Sequence, residues 1–394
     1  MAYRGYTYAL RPTQEQLAQM DQFAGVCRVV WNIALEQRRD HWRQYQRATG
    51  DNLNYVTQCR QLKGLRSEFD WIAAVSQTAQ SRVLKDLDTA FQRFFKGQGG
   101  FPQFKRKGAS DAFSFAGREI TVERLNKRWG RVKVPKIGWL RFRWTRAVQG
   151  SIREAAIVRT ALGWQISIGC MLDQEPVDNG LSVGVDRGVT IPLMLSDGTS
   201  YSLPANIAVL ERKHRKAQRA ASRCKRGSNR WRKAIRRSAA VKAKQARARK
   251  HCAHEATTDI ARRFGTVVIE KLRTSSMTRS AKGTLAKPGR NVGAKSGLNR
   301  SILNVGWHQI EMMLAYKSAR LIKVNPAYSS QTCASCGTVD RRSRENQAAF
   351  VCTSCGHRDN ADRNAAVVIL HRGSTPGIEP CRRAGDDVRT VQAA

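Results

Sequence analysis

Cys333-Ala-Ser-Cys336-Gly337, then Cys352-Thr-Ser-Cys355-Gly356, then Asp362-Arg363-Asn364-Ala365-Ala366: on this stretch the reading of the whole chain turns. Fifteen residues separate the two Cys-x-x-Cys pairs. Paired knuckles at such a distance are a strong signal for zinc, because two thiolates from one tight turn fill half of a tetrahedral shell. Gly337 and Gly356 follow the knuckles, where a residue without Cβ eases the turn that presents backbone N–H to sulfur. Four thiols placed at random would rarely make this pattern. One zinc ion is therefore expected on Cys333, Cys336, Cys352 and Cys355. Four thiolates leave no open coordination position, so that metal is structural. The chemistry must come from elsewhere, and Asp362 points to it.

Working outward, the chain has 394 residues, enough for two or three domains with real cores. Its 70 Lys and Arg face 30 Asp and Glu, a formal charge of +40. Such an excess repels itself unless a polyanion is present, and nucleic acid is the obvious partner. A membrane surface is the weaker option, since there is no apolar run of transmembrane length and no secretory signal. Nine tryptophans and 41% hydrophobic residues exclude a wholly disordered basic protein. The six other cysteines are scattered without a framework, which fits a reducing, intracellular setting.

In the N-terminal half, residues 4–10 read as a strand. Thr13 with Gln16 forms a capping box, and an apolar stripe from Leu17 to Ala34 predicts a helix, bent at Gly25. Its polar face continues to residue 50. Residues 70–96 carry a second stripe. Both stripes are read as a bundle core. Residues 101–107, Phe-Pro-Gln-Phe-Lys-Arg-Lys, interleave bases with aromatics; a plain packed loop and a stacking surface are about equally good readings. From 113 to 170 the period changes to two, predicting strands of an antiparallel barrel or sheet. The strand at 4–10 joins them, which makes the helical region an insertion.

In the C-terminal half, residues 181–185 form an apolar strand ending at Asp186, and Asp197-Gly198 predicts a hairpin turn. An acid in the first strand of a hairpin is how an RNase-H-like domain begins, though strand-Asp-x-Gly also occurs in ordinary turns. Residues 211–250 hold 18 Lys or Arg against one acid, Glu211. They predict helix broken near Gly227-Ser228, with Arg232, Lys233, Arg236 and Arg237 as candidates for nucleic-acid backbone contact. A charge run is more often a solvated face, but here its density exceeds what solubility needs. His251 and His254 follow at helical spacing, but no Cys, Asp or Glu cluster supports a metal site with them, and they are read as structural. Val267-Val-Ile-Glu270 is a buried strand presenting a carboxylate. Residues 274–298 read as a mobile loop, 302–314 as helix, 321–324 as strand, and 373–394 as a disordered tail.

Asp186, Glu270 and Asp362 thus stand at strand ends and a helix start. Phosphodiester hydrolysis at such a site uses two divalent ions, and hard carboxylate oxygens suit magnesium. Acids so far apart in sequence serve only if the fold gathers them.

With Val185-Asp186-Arg-Gly188, Val268-Ile-Glu270-Lys-Leu272, Leu298-Asn-Arg-Ser-Ile302, Tyr328-Ser-Ser-Gln-Thr-Cys333 and Asp362-Arg-Asn364-Ala-Ala366, the chain resembles TnpB. This is the RuvC-like RNA-guided nuclease family of insertion sequences, long described as OrfB transposase, and the resemblance spans nearly the whole chain. Lys271 stands where the family often has an acid. The resemblance implies an α/β fold: an RNase-H-like (RuvC) nuclease domain at 179–330 and 357–372, with a zinc module inserted at 331–356. It also implies a β-barrel-like wedge domain at 1–12 and 98–178 that carries a helical recognition domain at 13–97. It makes Asp186, Glu270 and Asp362 the catalytic triad, holding two Mg2+ ions, and it passes over nearby Asp359. The implied partners are a guide RNA from the transposon end, one chain per guide, and double-stranded target DNA beside a short adjacent motif, in a prokaryotic cytoplasm near the nucleoid. A miniature type V CRISPR nuclease, a DNA-joining transposase, a guide-dependent DNA-binding protein without cleavage, and a non-enzymatic zinc-ribbon RNA-binding protein are the competing readings.

Overall fold

The computed structural model describes residues 2–44, 53–109, 111–173, 176–346 and 348–374. The chain forms two units, Met1–Gln174 and Glu175–Ala394. In the first, strand β1 (Ala2–Arg11) leads into helix α1 (Gln14–Gln44). The expected capping box joins them: Thr13 N–H donates to Gln16 Oε1 (3.1 Å) and Gln16 N–H to Thr13 Oγ1 (3.3 Å). Helix α1 runs unbroken through Gly25; residues 45–50, read as its polar continuation, lie outside the described residues. Helix α2 (Tyr55–Glu68) had no counterpart in the sequence reading, and the reason is visible: only Gln58 and Leu62 are buried on it, too few to make a stripe. The stripe at 70–96 divides into a single turn, Asp70–Ala73, and helix α3 (Gln77–Phe95).

Strands β2 (Ala112–Ala116), β3 (Thr121–Arg124), β4 (Trp129–Val134), β5 (Gly138–Arg143), β6 (Ser151–Thr160) and β7 (Gly163–Leu172) complete the unit. With β1 they make one seven-stranded sheet, ordered β2-β6-β7-β1-β5-β4-β3. The barrel expectation is corrected here: the sheet is open. Closure would require β2 to pair with β3, and they are instead its two edges. The reasons are local. Strand β1 pairs with β7 through eight residues but with β5 only at Leu10 and Arg11. The β2 edge is packed by helices, with Phe23 of α1 at 5.1 Å from Phe113 and 6.3 Å from Phe115 between ring centroids.

The second unit holds a five-stranded sheet, ordered β10-β9-β8-β11-β12. It comprises β8 (Ser182–Asp186), β9 (Leu193–Leu195), β10 (Ser200–Tyr201), β11 (Thr266–Glu270) and β12 (Arg320–Val324). Strands β8, β11 and β12 are parallel, while β9 and β10 return antiparallel through the predicted turn, where Gly198 has φ +89°. All five residues of β11 are buried, as its apolar run required. Helices α4 (Ile207–Ser222) and α5 (Asn229–Arg263) carry the basic run and pack on each other. The break between them falls at Gly227-Ser228, with the Ser228 hydroxyl accepting from Trp231 N–H (3.2 Å). Helices α6 (Val292–Val305) and α7 (Trp307–Lys317) meet at Gly306, whose φ is +77°.

The loop expected at 274–298 is thus shorter than read. Residues 274–277 form a helical turn and 292–298 belong to α6. That half of α6 is Gly- and Ser-rich, and it is held by polar contacts that no apolar pattern reveals: Lys295 Nζ to Met277 O (2.7 Å) and Asn299 Nδ2 to Thr278 O (2.9 Å). Strands β13 (Ala349–Val351) and β14 (Arg358–Asn360) form a hairpin that flanks the second knuckle, and helix α8 (Ala361–Ser374) ends the described chain. Gly373 and Ser374, assigned to a disordered tail, close this helix; the rest of that tail lies outside the described residues.

Candidate active site and metal centre

Parallel pairing sets Val185 beside Ile269, so Asp186 and Glu270 end neighbouring strands on the same side of the sheet. The third acid, Asp362, lies in the first turn of α8, which packs across β8, β11 and β12. The Asp-Arg-Asn-Ala-Ala segment explains how the helix comes so close. Ala365 and Ala366 are buried small residues. Opposite them a Cβ on Gly184 would stand 2.0 Å from Ala366 O, so only glycine fits.

Asp186 is pushed up to about 7, first by burial and then by the negative charges of Glu270 and Asp362. Glu270 is 7% exposed, and its Oε1 accepts from the Ser329 hydroxyl at 2.5 Å. Asp362 Oδ1 is 3.2 Å from Arg344 Nη2, on the chain between the two knuckles. Behind the strand ends, the buried Arg187 guanidinium donates to Glu270 O and meets Glu311 at 3.2 Å. Burial alone would raise Glu311, but Lys323 and Arg187 hold it below the ordinary carboxylate range. Asp359, in β14, pairs with Arg363 at 3.3 Å.

The two knuckles are backbone copies of each other. Gly337 N–H donates to Cys333 O and Gly356 N–H to Cys352 O, both at 3.0 Å. Cys333 N–H donates to Thr338 O and Cys352 N–H to His357 O, both at 2.9 Å. The glycines have φ of +74° and +72°. The four sulfurs lie within 4.8 Å of one another, and among the described residues no other set of three or more such ligands does so. The cysteines can therefore coordinate a metal. The three carboxylates interact as charges without converging as far, yet their donor set suits a hard cation: two nearby anions raise the proton affinity of the third.

Two residues that the sequence reading left without a role tie the centre to the acids. Asn364, fully buried, accepts from Ala334 N–H at 2.9 Å and donates to Thr332 O at 2.8 Å. It clamps the first knuckle to the helix that bears Asp362. Ser329 comes from the segment leading into the same knuckle. Both were inside quoted motifs; only their partners, dozens of residues away, were missing. Arg232, Lys233, Arg236 and Arg237 are all exposed on α5, while Arg249 farther along turns inward to Asn304 (3.0 Å). His251 lies at the surface, 3.5 Å from Glu255.

These features define an α/β RuvC-like domain with a four-cysteine cluster. Comparison with known proteins carries the identification further. Residues 307–369 match the family described as "Cas12f1-like, TNB domain", and residues 165–281 match "Probable transposase" of the OrfB type. Residues 1–47 match "Helix-turn-helix domain", though the described part of that stretch is a strand and one helix. The chain is 34% identical to the "Putative RNA-guided DNA endonuclease InsQ" of Escherichia coli K12, covering 94% of this chain and 92% of the relative. It is 30% identical to a "Putative RNA-guided DNA endonuclease" of Streptomyces pristinaespiralis, covering 97% and 93%. Its fold is similar to that of Cas12f1 in a cryo-EM complex with sgRNA and target DNA, with TM-score 0.59, 15% identity and coverage of 93% and 84%. The chain belongs to the TnpB/OrfB/Cas12f-like family of RuvC-derived RNA-guided nucleases. No described helix is long and apolar enough to cross a membrane.

Proposed function

We propose that this chain is a transposon-associated RNA-guided DNA endonuclease that cuts double-stranded DNA matching a bound guide RNA, beside a short adjacent motif. The observation that carries the site assignment is that β8 and β11 pair in parallel with Asp186 and Glu270 at their ends while α8, bearing Asp362, packs across them, so that the charges of Glu270 and Asp362 raise Asp186. These three would hold two Mg2+ ions, which supply charge stabilisation for the attacking and leaving oxygens of phosphodiester hydrolysis. The chain's own residues set the stage. Ser329 fixes the carboxylate plane of Glu270, Arg187 fixes its backbone, and Arg344 offsets charge at Asp362. Asp186 is half-buried, and its partial withdrawal from water strengthens the charge interactions there.

The cysteine cluster would hold one structural Zn2+ ion, its four thiolates forming a closed shell. In domain terms, the open sheet with 1–12 and 98–178 would serve as wedge, 13–97 as recognition domain, 179–330 with 357–372 as nuclease, and 331–356 as zinc module. The basic run on α4 and α5 would track nucleic-acid backbone, and base pairing with the guide would read sequence. The test is Asp186→Ala: cutting of matched duplex should be lost while guide-directed binding persists. Loss of both, or of neither, argues against the assignment.

A further inference from the structure

Within the first unit, Arg38 of α1 has only 9% of its side chain exposed. Its Nε donates to Gln58 Oε1 (2.9 Å) and its Nη1 to Asp88 Oδ1 (3.1 Å). Its Nη2 is buried with no hydrogen-bond partner among the described residues. The guanidinium stands over the Phe91 ring, 5.2 Å from its centroid, and lines a cavity of about 460 Å³.

The other walls of that cavity include Trp42, Phe94, Phe95 and Phe101, with Arg39 and Arg43 beside them. Phe95 is 73% and Trp42 58% exposed. Rings so exposed on so cationic a chain do not form a core. They offer flat apolar faces next to fixed positive charge, the combination that stacks an unpaired base and holds its phosphate.

We propose that this cavity binds an unstacked nucleobase of single-stranded RNA: the base against the phenylalanine and tryptophan faces, its phosphate beside the arginines that line the cavity. Charge complementarity selects the occupant, since the cavity's charged lining residues are arginines and a histidine. Duplex DNA does not fit, because its bases stay stacked and show only their edges in the grooves. The proposal rests on the RNA-guided reading only for the source of the RNA.

The experiment measures affinity of the full chain, stripped of copurified RNA, for a labelled mixed-sequence single-stranded RNA and for duplex DNA of equal length. Phe95→Ala removes an exposed ring and should leave the melting temperature unchanged. RNA affinity should fall roughly tenfold with the salt slope unaltered, because stacking and not a phosphate contact is lost. Phe95→Tyr should restore it, and duplex affinity should not move. Arg38→Met, checked for folding by its melting temperature, should also weaken RNA selectively. RNA affinity of Phe95→Ala within about twofold of the parent, or an equal loss for RNA and duplex, overturns the proposal. So does a change in self-association without a change in RNA affinity, which would make the surface a protein contact. A parent chain that binds no RNA would overturn the RNA-guided reading as well; a defect-free Phe95→Ala overturns this pocket alone.

Discussion

Ser329 and Asn364 show how single side chains transmit order to the acids. Ser329→Ala removes the hydroxyl from Glu270 Oε1 and leaves that carboxylate less fixed. Guided cleavage should slow by roughly ten- to hundredfold, by analogy with loss of an outer-shell partner at a metal site, and the Mg2+ requirement should rise. A magnesium titration of cleavage rate checks this, and an unchanged titration curve contradicts it. Asn364→Ala strands Thr332 O and Ala334 N–H without partners, a loss of roughly 2–4 kcal/mol readable by denaturant unfolding. Asp186 gives a pH dependence whose sign is fixed. Its carboxyl is raised to about 7, so below that pH it holds a proton that a cation must displace. Half-saturating Mg2+ should therefore climb as pH falls from 8 to 6, by roughly tenfold per unit once below the pKa if one proton is exchanged per ion. A flat dependence removes Asp186 from the cation site. Legibility at this scale was uneven. Glu270 stood out because a buried strand seldom carries a carboxylate, and Asp362 because it heads the Asp-x-Asn-Ala-Ala segment. Ser329 and Asn364 are ordinary polar residues whose importance lies in partners brought near only by folding.

Elements follow the same division. The capping box at Thr13, the turn at Gly198 and the knuckle glycines were legible because local backbone chemistry determines them. The barrel was not, because closure depends on which edges meet. Strand alternation says nothing of the two-residue junction of β1 with β5 or of the helices that cover β2. The four-cysteine element is tested by Cys333→Ser. Metal content of the purified chain should fall from about one zinc per chain, and the module should loosen, slowing cleavage through α8 and Asp362 without abolishing RNA binding. Full metal retention after loss of all four thiols would contradict the centre. The exposed basic face of α5 belongs to this scale too. Neutralising Arg232, Lys233, Arg236 and Arg237 should weaken nucleic-acid binding alike across sequences and lower the salt slope by about one unit per lost phosphate contact. Unchanged affinity and slope would make it a solvated face.

At the scale of the whole molecule, a chain of formal charge +40 combines a RuvC-like domain, a four-cysteine cluster and a separate open-sheet unit with helices. Family membership explains why such a charge is tolerable: the chain's affinity is for polyanions, and base pairing supplies the selectivity that lysine and arginine lack. Under the proposed assignment binding and cutting should be separable, backbone charge and pairing carrying the first and the three carboxylates the second. The most direct measurement supplies the copurified RNA, a matched duplex flanked by a randomised library, and magnesium, and compares the parent chain with Asp186→Ala. The account predicts cleavage by the parent only at matched duplex beside a restricted set of flanking sequences, and by Asp186→Ala binding at the same sites without a cut. Cleavage by Asp186→Ala at the parental rate, or equal cutting of unmatched duplex without RNA, would contradict it.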